Sequence, residues 1–443
     1  MLVFTLMLIL EIVLAVWTIK TEGERKKYLK NRLMIRTAQM AVFFLSMLLP
    51  GINLDMRFKM LLLVLVILWI YALVLWLAKR KTATGRLSKA KSVAKATLAV
   101  VLFAFASVPA FLFTDYEGLE TTGQYKVKTA EDIWVDNSRV EEFEQDGSKR
   151  EVPVHFYYPE VEGDVKEGGF PLIIFSHGAF GYYQSNTSTY MELASRGYVV
   201  VSLDHPYHSF YTVDTDGKVI TVDPGFMQEV QYVNENNTPE TDIFDYSSKW
   251  LKLRTDDMNF VIDTIKLAKK KDIHTSEDVM NAIKMADDNN IGLFGHSLGG
   301  ATSVTVGRQR EEVKAVIDLD GTMLGEQIAY ENGRYEFNEE PYPIPILAVD
   351  TEYHYQAALE YGDLYVNNKV IENAVDGREV YFKDAGHMNF TDLPLFSPVL
   401  ANKLGTGTID EVECIKKTNE IVCMFFDHYL KNEGEVVLQE YYE

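Results

Sequence analysis

The chain has 443 residues, of which 47% are hydrophobic and 24% charged, with two cysteines and a formal net charge of −21. This length allows one large domain and a second, smaller part. The composition excludes a disulfide-stapled protein and a four-cysteine metal site. The negative charge argues against a nucleic-acid partner, because phosphate binding requires a positive surface.

The charge is divided unevenly along the chain. Residues 1–113 carry a net charge of +12, whereas the remaining 330 residues carry −33. Such a split suggests two parts in different surroundings. We predict that residues 1–114 form an all-α membrane module, although a signal peptide is an alternative for its first apolar run taken alone. Four apolar runs, each about as long as the roughly 20 residues that cross a bilayer, are the predicted transmembrane helices: 2–19, 37–54, 60–78 and 96–114.

Basic residues predict the orientation of this module. The predicted loops Lys20–Arg32 and Lys79–Lys95 hold 13 Lys and Arg residues, and such residues next to membrane spans stay in the cytoplasm. We therefore expect an integral protein of the cell membrane whose N-terminus and acidic C-terminal part face outward, and the few cysteines fit a bacterial surface protein. Glu11, inside the first run, is expected to pack against a neighbouring helix or to lie near the surface.

Residues 115–150 are polar and weakly periodic, and we predict a linker and entry segment. From 151 to 443 short apolar strands alternate with amphipathic helices, which predicts a doubly wound, mostly parallel α/β domain. Several strands are continuous Val, Ile and Leu runs, typical of burial on both faces. The predicted strands are Val152–Tyr158, Pro171–Ser176, Tyr198–Leu203, Asn290–Gly295, Lys314–Leu319, Ile344–Val349 and Arg378–Lys383. The predicted helices are Ser185–Arg196, Lys249–Lys271, Leu298–Arg310, Tyr355–Asn368 and Thr408–Leu430.

One segment interrupts this alternation. Residues 206–248 combine a predicted hairpin around Asp214–Asp223 with an Asn- and Glu-rich stretch. The segment follows the end of a strand, where α/β domains place their sites, so we predict a lid insertion.

The run Gly295–Gly300, with the sequence Gly-His-Ser-Leu-Gly-Gly, is the strongest local signal. A Gly-x-Ser-x-Gly pattern between a strand and a helix is typical of a tight turn that exposes a serine hydroxyl. Glycines are expected on both sides because a side chain there would collide with the neighbouring strand and helix. The helix N-terminus supplies positive potential and free N–H groups. We therefore predict that Ser297 is a nucleophile.

A serine nucleophile needs a general base, and in this architecture the chain order is serine, acid, histidine. Three histidines follow Ser297 in the chain. We predict His387 as the base, because its loop follows the last predicted strand and an imidazole there can reach the serine. His354 follows an earlier strand end and is the alternative, whereas His428 lies inside an amphipathic helix.

The base in turn needs a carboxylate that fixes its tautomer. Asp318 and Asp320 close one predicted strand and share a side, and Asp320 can reach past the strand end. We predict Asp320 as the acid. Asp350, which closes the next strand, is the alternative acid, and the unused carboxylate is expected to cap a helix.

Backbone donors for a tetrahedral oxyanion are predicted where a glycine-containing loop follows the second strand. The N–H groups of Ala179 and of Leu298 would converge there on one oxygen. His177, in the same loop, is predicted to be structural. His205 and His208 could suggest metal ligands, but they lack a clear third ligand and are also predicted to be structural. No metal and no cofactor are expected.

Four motifs together resemble the platelet-activating-factor acetylhydrolase family of α/β-hydrolases: Phe175–Gly178, Gly295–Gly300, Asp318–Gly321 and Gly386–Asp392. The similarity covers about residues 152–430 and excludes the membrane module. It implies an α/β-hydrolase fold and a calcium-independent serine esterase that cleaves short or oxidised acyl chains from phospholipids. Carried over by position, it implies a nucleophile, acid, base and oxyanion hole at Ser297, Asp320, His387, Ala179 and Leu298.

Together these observations predict a membrane-anchored serine ester hydrolase that acts on acyl esters of lipids or small molecules through an acyl-enzyme. Three alternatives remain open. They are a serine peptidase, a polyester or cutinase-like hydrolase on the same scaffold, and an inactive hydrolase domain that serves as a membrane sensor.

Overall fold

The computed structural model describes residues 2–49, 52–116, 118–161, 163, 168–271 and 273–443. The chain divides into two compact units. The first comprises residues 1–117 with Leu395–Leu400, and the second comprises Gly118–Pro394 with Ala401–Glu443.

The first unit is helical over most of its length. Its helices are α1 (Leu2–Lys20), α2 (Arg25–Ser46), α3 (Met56–Lys79), α4 (Lys89–Ala106) and α5 (Val108–Leu112). Among the described residues, α1 and α3 are the two helices long and apolar enough to cross a membrane. The predicted spans 2–19 and 60–78 correspond to these two helices.

The other two predicted spans do not correspond to single helices. Helix α2 begins at Arg25, inside the predicted basic loop, and ends at Ser46, so the span 37–54 is only half helical. Its residues 50 and 51 lie outside the described residues. The span 96–114 is divided between α4 and α5. The basic residues of the predicted loop are part of α2 because Lys and Arg have a high helix propensity. Their charge disfavours burial in lipid but does not prevent helix formation.

The interior of the first unit holds a polar pair inside an apolar bundle. Helix α1 contacts α2 and α4, and α3 contacts the same two helices. Glu11 is buried, and its carboxylate accepts two hydrogen bonds from Arg36, of 2.5 and 3.1 Å. Large apolar side chains point outward on each of the helices α1 to α4, among them Ile12, Phe44, Ile67 and Phe105. This arrangement reverses the usual pattern of a helix bundle in water.

The second unit is built on a nine-stranded sheet. In chain order the strands of this unit are β1 (Val127–Val140), β2 (Lys149–Pro159), β3 (Phe170–Ser176), β4 (Val199–Leu203), β5 (Tyr211–Val213), β6 (Val219–Thr221), β7 (Ala286–His296), β8 (Val313–Leu319), β9 (Gln327–Glu331), β10 (Arg334–Phe337), β11 (Ile346–Thr351), β12 (Gly377–Phe382) and β13 (Tyr441–Tyr442). The spatial order in the nine-stranded sheet is β1-β2-β4-β3-β7-β8-β11-β12-β13. β1 and β2 are antiparallel to each other and β2 is antiparallel to β4, while the other pairs are parallel.

Helices connect these strands and cover the sheet. They are α6 (Thr187–Ser195), α7 (Pro224–Val233), α8 (Glu240–Ala268), α9 (Glu277–Met285), α10 (Leu298–Gln309), α11 (Glu352–Tyr361), α12 (Val366–Asn373), α13 (Leu393–Phe396), α14 (Pro398–Leu404) and α15 (Glu411–Lys431). All seven predicted strands are present, with ends that differ by a few residues. The predicted helix Tyr355–Asn368 is instead two helices, α11 and α12, separated at Gly362, which has a φ of 50°.

Strand alternation creates two apolar layers, one on each face of the sheet. In β3, Leu172 and Ile174 enter the layer that also contains residues of α8, α9 and α12. Ile173 and Phe175 enter the opposite layer with residues of α6 and α15. Since strands with both faces buried carry apolar residues at every position, the continuous apolar runs are explained. Each fully buried Leu, Ile or Phe side chain contributes about 1.5–3 kcal/mol to this core.

Two segments differ from the sequence-based expectation. Strand β1 lies inside 115–150, which was predicted as a linker, and pairs with β2 over most of its length. The predicted lid insertion 206–248 consists of the β5–β6 hairpin, α7 and the first turns of α8, which begins at Glu240 rather than near Lys249.

Candidate active site

Ser297 stands in the turn between β7 and α10 with a φ of 57° and a ψ of −125°. A residue with a side chain adopts this region only when its surroundings hold it there. The Ser297 N–H donates to the Leu319 carbonyl at 2.8 Å. A Cβ on Gly295 would lie 2.2 Å from the backbone of Gly299, and a Cβ on Gly299 would lie 1.9 Å from the Ser176 carbonyl oxygen. Packing therefore requires both glycines, as predicted from the motif.

Asp320 and His387 form a hydrogen-bonded pair near this turn. His387 Nδ1 donates to Oδ2 of Asp320 at 2.6 Å, and the Thr351 N–H donates to Oδ1 at 2.7 Å. Burial alone would raise the pKa of Asp320, but His354 and His387 hold that pKa below its usual range. Asp320 is therefore ionised at neutral pH. It fixes the tautomer of His387 in which Nε2 is the proton acceptor.

The loop that carries His387 is fastened to α6. Asn186 donates from its side-chain nitrogen to the Phe390 carbonyl at 2.6 Å. Asp392 accepts hydrogen bonds from the backbone N–H and hydroxyl of Ser188, at 2.6 and 2.5 Å. The later residues of the run Gly386–Asp392, one of the four motifs that resemble the hydrolase family, make these contacts. The contacts hold the loop in place and so position His387.

The other two candidate carboxylates are in a different state. Asp318 is buried, and burial together with the nearby Asp320 raises its pKa to about 8. Burial and Asp320 also raise the pKa of Asp350 well above its usual value, and Asp350 interacts with Glu379. The raised pKa values favour the neutral form of both carboxyls, whereas the lowered pKa of Asp320 favours its ionised form.

His354, the alternative base, is brought to the same carboxylate. Its Nδ1 lies 2.8 Å from Oδ1 of Asp320. Asp320, Asp350 and His354 each place one ligand atom within 4.8 Å of the others, a spacing that could admit a metal ion. Asp320, however, already accepts a hydrogen bond from His387, so its carboxylate serves the imidazole in this arrangement.

The predicted oxyanion loop is held by a buried arginine that sequence analysis missed. Arg254, on α8, is fully buried and donates to the carbonyl oxygens of His177 and Gly178. Burial lowers its pKa to about 9. Because the C=O and N–H of a trans peptide point in opposite directions, this contact turns the N–H of Ala179 away from the arginine. A Cβ on Gly178 would lie 3.2 Å from Ser297 Cβ, so the loop borders the serine.

His296, the variable residue of the motif, also has a role in the geometry. Its Nε2 is 3.0 Å from the His387 carbonyl oxygen, and the two rings are 4.4 Å apart. Burial, followed by the neighbouring His387, lowers the pKa of His296 to about 3. The ring is therefore neutral and donates to that carbonyl, which holds the His387 loop against the serine turn.

A second Ser-His-Asp arrangement lies beneath the loop. Ser176 Oγ is 2.8 Å from His205 Nε2, and His205 Nδ1 is 2.9 Å from Asp257 Oδ2. All three residues are fully buried, and Arg150 pairs with Asp257 at 2.7 Å. Burial first, and then Arg254, lower the pKa of His205 to about 4. Because no substrate can reach a fully buried serine, this arrangement is structural, which agrees with the role predicted for His205.

The remaining histidines of this region are structural too. His177 contacts the Gly178 carbonyl and the Ser209 hydroxyl at 2.7 and 2.8 Å. His208 stacks on Phe226 with a ring separation of 3.7 Å.

A mostly parallel sheet, a strained serine between strand and helix, and an acid–histidine pair after later strands define an α/β-hydrolase fold. The chain belongs to the family described as platelet-activating factor acetylhydrolase, isoform II, whose family model matches residues 154–439. The resemblance seen in the four motifs is thereby confirmed for the C-terminal part of the chain.

Curated relatives are similar over part of their length. A probable 1-alkyl-2-acetylglycerophosphocholine esterase from Arthroderma benhamiae is 24% identical over 172 residues, which are 39% of this chain and 36% of that protein. The platelet-activating factor acetylhydrolase of Cavia porcellus is 22% identical over 275 residues, 59% of this chain and 58% of that protein. The chain thus spans less than two thirds of either relative.

Among solved structures, a ferulic acid esterase from Streptomyces cinnamoneus superposes with a TM-score of 0.53 at 20% identity. The match covers 71% of this chain and 93% of the esterase. At this identity the likeness concerns the fold.

Proposed function

We propose that this protein is a serine hydrolase of carboxylic esters whose triad is Ser297, Asp320 and His387. The observation that carries the proposal is the 2.6 Å hydrogen bond between His387 and the ionised Asp320, beside a serine in strained geometry. The names of the curated relatives, an esterase and an acetylhydrolase, support the same bond type.

In the proposed reaction, Ser297 Oγ attacks the acyl carbonyl and its proton passes to His387 Nε2. The N–H groups of Ala179 and Leu298 stabilise the oxyanion; the Leu298 N–H is among the unpaired donors of the first turn of α10. The imidazolium protonates the leaving alcohol, which departs and leaves an acyl-serine. Water, deprotonated by the same imidazole, then releases the acid and restores the serine.

The surroundings of the oxyanion loop favour an apolar acyl group. Ala179 and Leu298 belong to an apolar cluster with Phe226 and Trp250. Phe226 lies on α7, in the segment 206–248, so the proposed lid supplies apolar surface next to the acyl-binding position. The name of one relative specifies an acetylated glycerophosphocholine and that of another an acetylhydrolase. We therefore infer a short acyl ester of a phospholipid as the preferred substrate.

We further propose that the first unit is a four-span membrane anchor. The outward-facing apolar side chains and the internal pairing of Glu11 with Arg36 support this role, because a charge in lipid must face the bundle interior and be paired. The turns α1–α2 and α3–α4 meet at one basic end, where the Leu87 N–H donates to the Gly23 carbonyl at 2.6 Å. The positive-inside rule assigns that end to the cytoplasm and the C-terminal part to the outer face of the cell membrane.

The catalytic proposal is tested by labelling the full chain, in detergent micelles, with a fluorophosphonate probe. We expect labelling of wild type and its loss in Ser297→Ala. Ser176→Ala is the matched control, because Ser176 also contacts a histidine but is buried. We expect the Ser176→Ala protein to be labelled as wild type is. Labelling that persists in folded Ser297→Ala contradicts the assignment of the nucleophile.

A further inference from the structure

A fully buried cation lies behind the proposed oxyanion loop. Arg254, on α8, has no exposed surface. In the part of the chain that the structure describes, its guanidinium donates to the carbonyl oxygens of His177 and Gly178, at 2.5 and 3.2 Å. Its third hydrogen bond goes to Nδ1 of His208 at 3.4 Å. None of these partners is a carboxylate.

The absence of a bonded carboxylate makes this arginine costly for the fold. An arginine stays protonated in proteins, and a buried charge without a bonded counter-charge costs free energy. The charge of Asp257 also acts on Arg254, but the Asp257 carboxylate is hydrogen-bonded to Arg150 and His205 instead. The cation therefore points to a role at the loop that it binds.

The oxygen of the Gly178–Ala179 peptide is held from two sides. It accepts from Arg254 and also contacts Nδ1 of His177 at 2.7 Å. The C=O and N–H of one trans peptide point in opposite directions, and no peptide bond among the described residues is cis. The N–H of Ala179 therefore points away from α8. Because linked hydrogen bonds polarise one another, a cation on the oxygen makes this N–H a stronger donor.

We propose that Arg254 is a positioning residue of the oxyanion hole, which holds the Gly178–Ala179 peptide with its N–H toward the Ser297 turn and strengthens that N–H as a donor. The inference rests on the proposed function, in which the Ala179 N–H stabilises the tetrahedral intermediate. Arg254 touches neither the substrate nor the reacting atoms, because it is fully buried behind the loop.

The expected effect follows from the cost of losing an oxyanion donor, which lowers kcat by about 10²–10³. Arg254→Met removes every contact to the loop and leaves two buried carbonyls without this donor, so we expect kcat to fall by about 10². Arg254→Lys keeps the charge but lacks the planar fork that binds both carbonyls, so we expect a fall of about tenfold. The oxyanion forms only in the transition state, and KM should therefore stay within about threefold of wild type in both variants.

The test measures hydrolysis of p-nitrophenyl acetate by the full chain in detergent micelles, together with inhibition by an alkyl trifluoromethyl ketone. The ketone adds to a serine hydroxyl and places an oxyanion in the hole, so its Ki reports on that site. Ki does not depend on the fraction of the protein that is correctly folded. We expect Ki to rise by the factor by which kcat falls, which is about tenfold in Arg254→Lys and about 10² in Arg254→Met.

Arg308→Lys is the matched control. Arg308, near the end of α10, also donates to two loop carbonyls, those of Glu340 and Pro341, each at 3.1 Å. We expect kcat and Ki of this variant within about threefold of wild type. If Arg254 only stabilised the fold, Arg254→Lys would lower the Tm and the active fraction but leave Ki unchanged. A Ki of folded Arg254→Lys within about threefold of wild type overturns the inference, whether or not Arg254→Met folds.

A second readout does not require ester turnover. The rate of labelling by a fluorophosphonate also depends on the hole, because the phosphoryl oxygen occupies it during attack by Ser297. We expect the rate constant to fall about tenfold in Arg254→Lys and to be unchanged in Arg308→Lys. If wild type is labelled but hydrolyses no ester, the proposed function fails and the labelling rate still decides this inference. Equal labelling rates in wild type and Arg254→Lys overturn it, and a wild type that is not labelled overturns both.

Discussion

Replacing Asp320 with asparagine tests the proposed acid most sharply. The substitution keeps the shape of the side chain but removes the charge that contacts His387 Nδ1 at 2.6 Å. With charge centres about 4 Å apart and an effective dielectric constant of about 20, the carboxylate stabilises the imidazolium by about 4 kcal/mol. The His387 side chain is 37% exposed, and screening reduces this to about 3 kcal/mol, or a factor of about 10² in kcat.

Loss of the correct tautomer adds to this charge effect, so the expected fall in kcat lies between about 10² and 10⁴. The assay is hydrolysis of p-nitrophenyl acetate by the full chain in micelles, with KM measured separately. KM should change by less than about threefold, because Asp320 does not touch the substrate. A folded Asp320→Asn protein that retains more than about a fifth of wild-type kcat refutes the reasoning.

Asp350→Asn is the matched control for this prediction. Burial and the neighbouring Asp320 raise the pKa of its carboxyl well above the usual value, which favours the neutral form, so an amide should replace it with little change in charge. We expect kcat within about threefold of wild type. A larger loss in Asp350→Asn than in Asp320→Asn would assign the acid to the alternative residue.

Three further substitutions test the elbow, the buried carboxyl and the anchor. Gly299→Ala places a Cβ 1.9 Å from the Ser176 carbonyl oxygen. We expect the free energy of unfolding to fall by about 2 kcal/mol or more and most of the activity to be lost. An unchanged Tm in thermal unfolding contradicts the packing argument. Asp318 has a folded-state pKa of about 8, so its stability contribution is present below about pH 4 and is lost as the pH rises through 8. The Tm of Asp318→Asn should therefore fall less between pH 5 and pH 8 than that of wild type, and an equal fall contradicts the raised pKa. Ile67→Lys puts a charge on the outer face of α3, which should cost about 3 kcal/mol in lipid and raise the fraction extracted by alkaline carbonate. The exposed Leu267→Lys on α8 is its control, and equal extraction of both variants contradicts the anchor.

The residues of the proposed triad could be named from the sequence because each lies in a local pattern. The glycines around Ser297 report the close packing of the turn, and the order serine, acid, histidine limits the choice of partners. For the choice between Asp320 and Asp350 as the acid, the sequence provides only the alternation of side chains along the strand. The structure adds the 2.6 Å contact that distinguishes them.

The supporting residues could not be found in this way, because their partners are distant in the chain. Arg254 contacts a loop 76 residues away, and nothing near it in sequence indicates that contact. Ser176, His205 and Asp257 come from three separate elements. A hydrogen-bonded Ser-His-Asp set is therefore not diagnostic by itself, and exposure decides which serine can react.

Physical reasons also explain why the sequence analysis missed strand β1 and misplaced helix α2. Strand β1 is an edge strand with one exposed face, so charged residues interrupt its apolar pattern, and pairing with β2 supplies the stability that its sequence does not indicate. Helix α2 combines a basic half with an apolar half, and hydropathy detected only the second.

The most direct test of the central claim is hydrolysis of a p-nitrophenyl ester series, from acetate to palmitate, by the full chain in micelles, with Ser297→Ala as the control. We predict turnover that depends on Ser297 and declines beyond short acyl chains. Turnover that rises with chain length would contradict the short-acyl preference and indicate a lipase. A folded wild-type chain that hydrolyses none of the esters would contradict the assignment as an ester hydrolase.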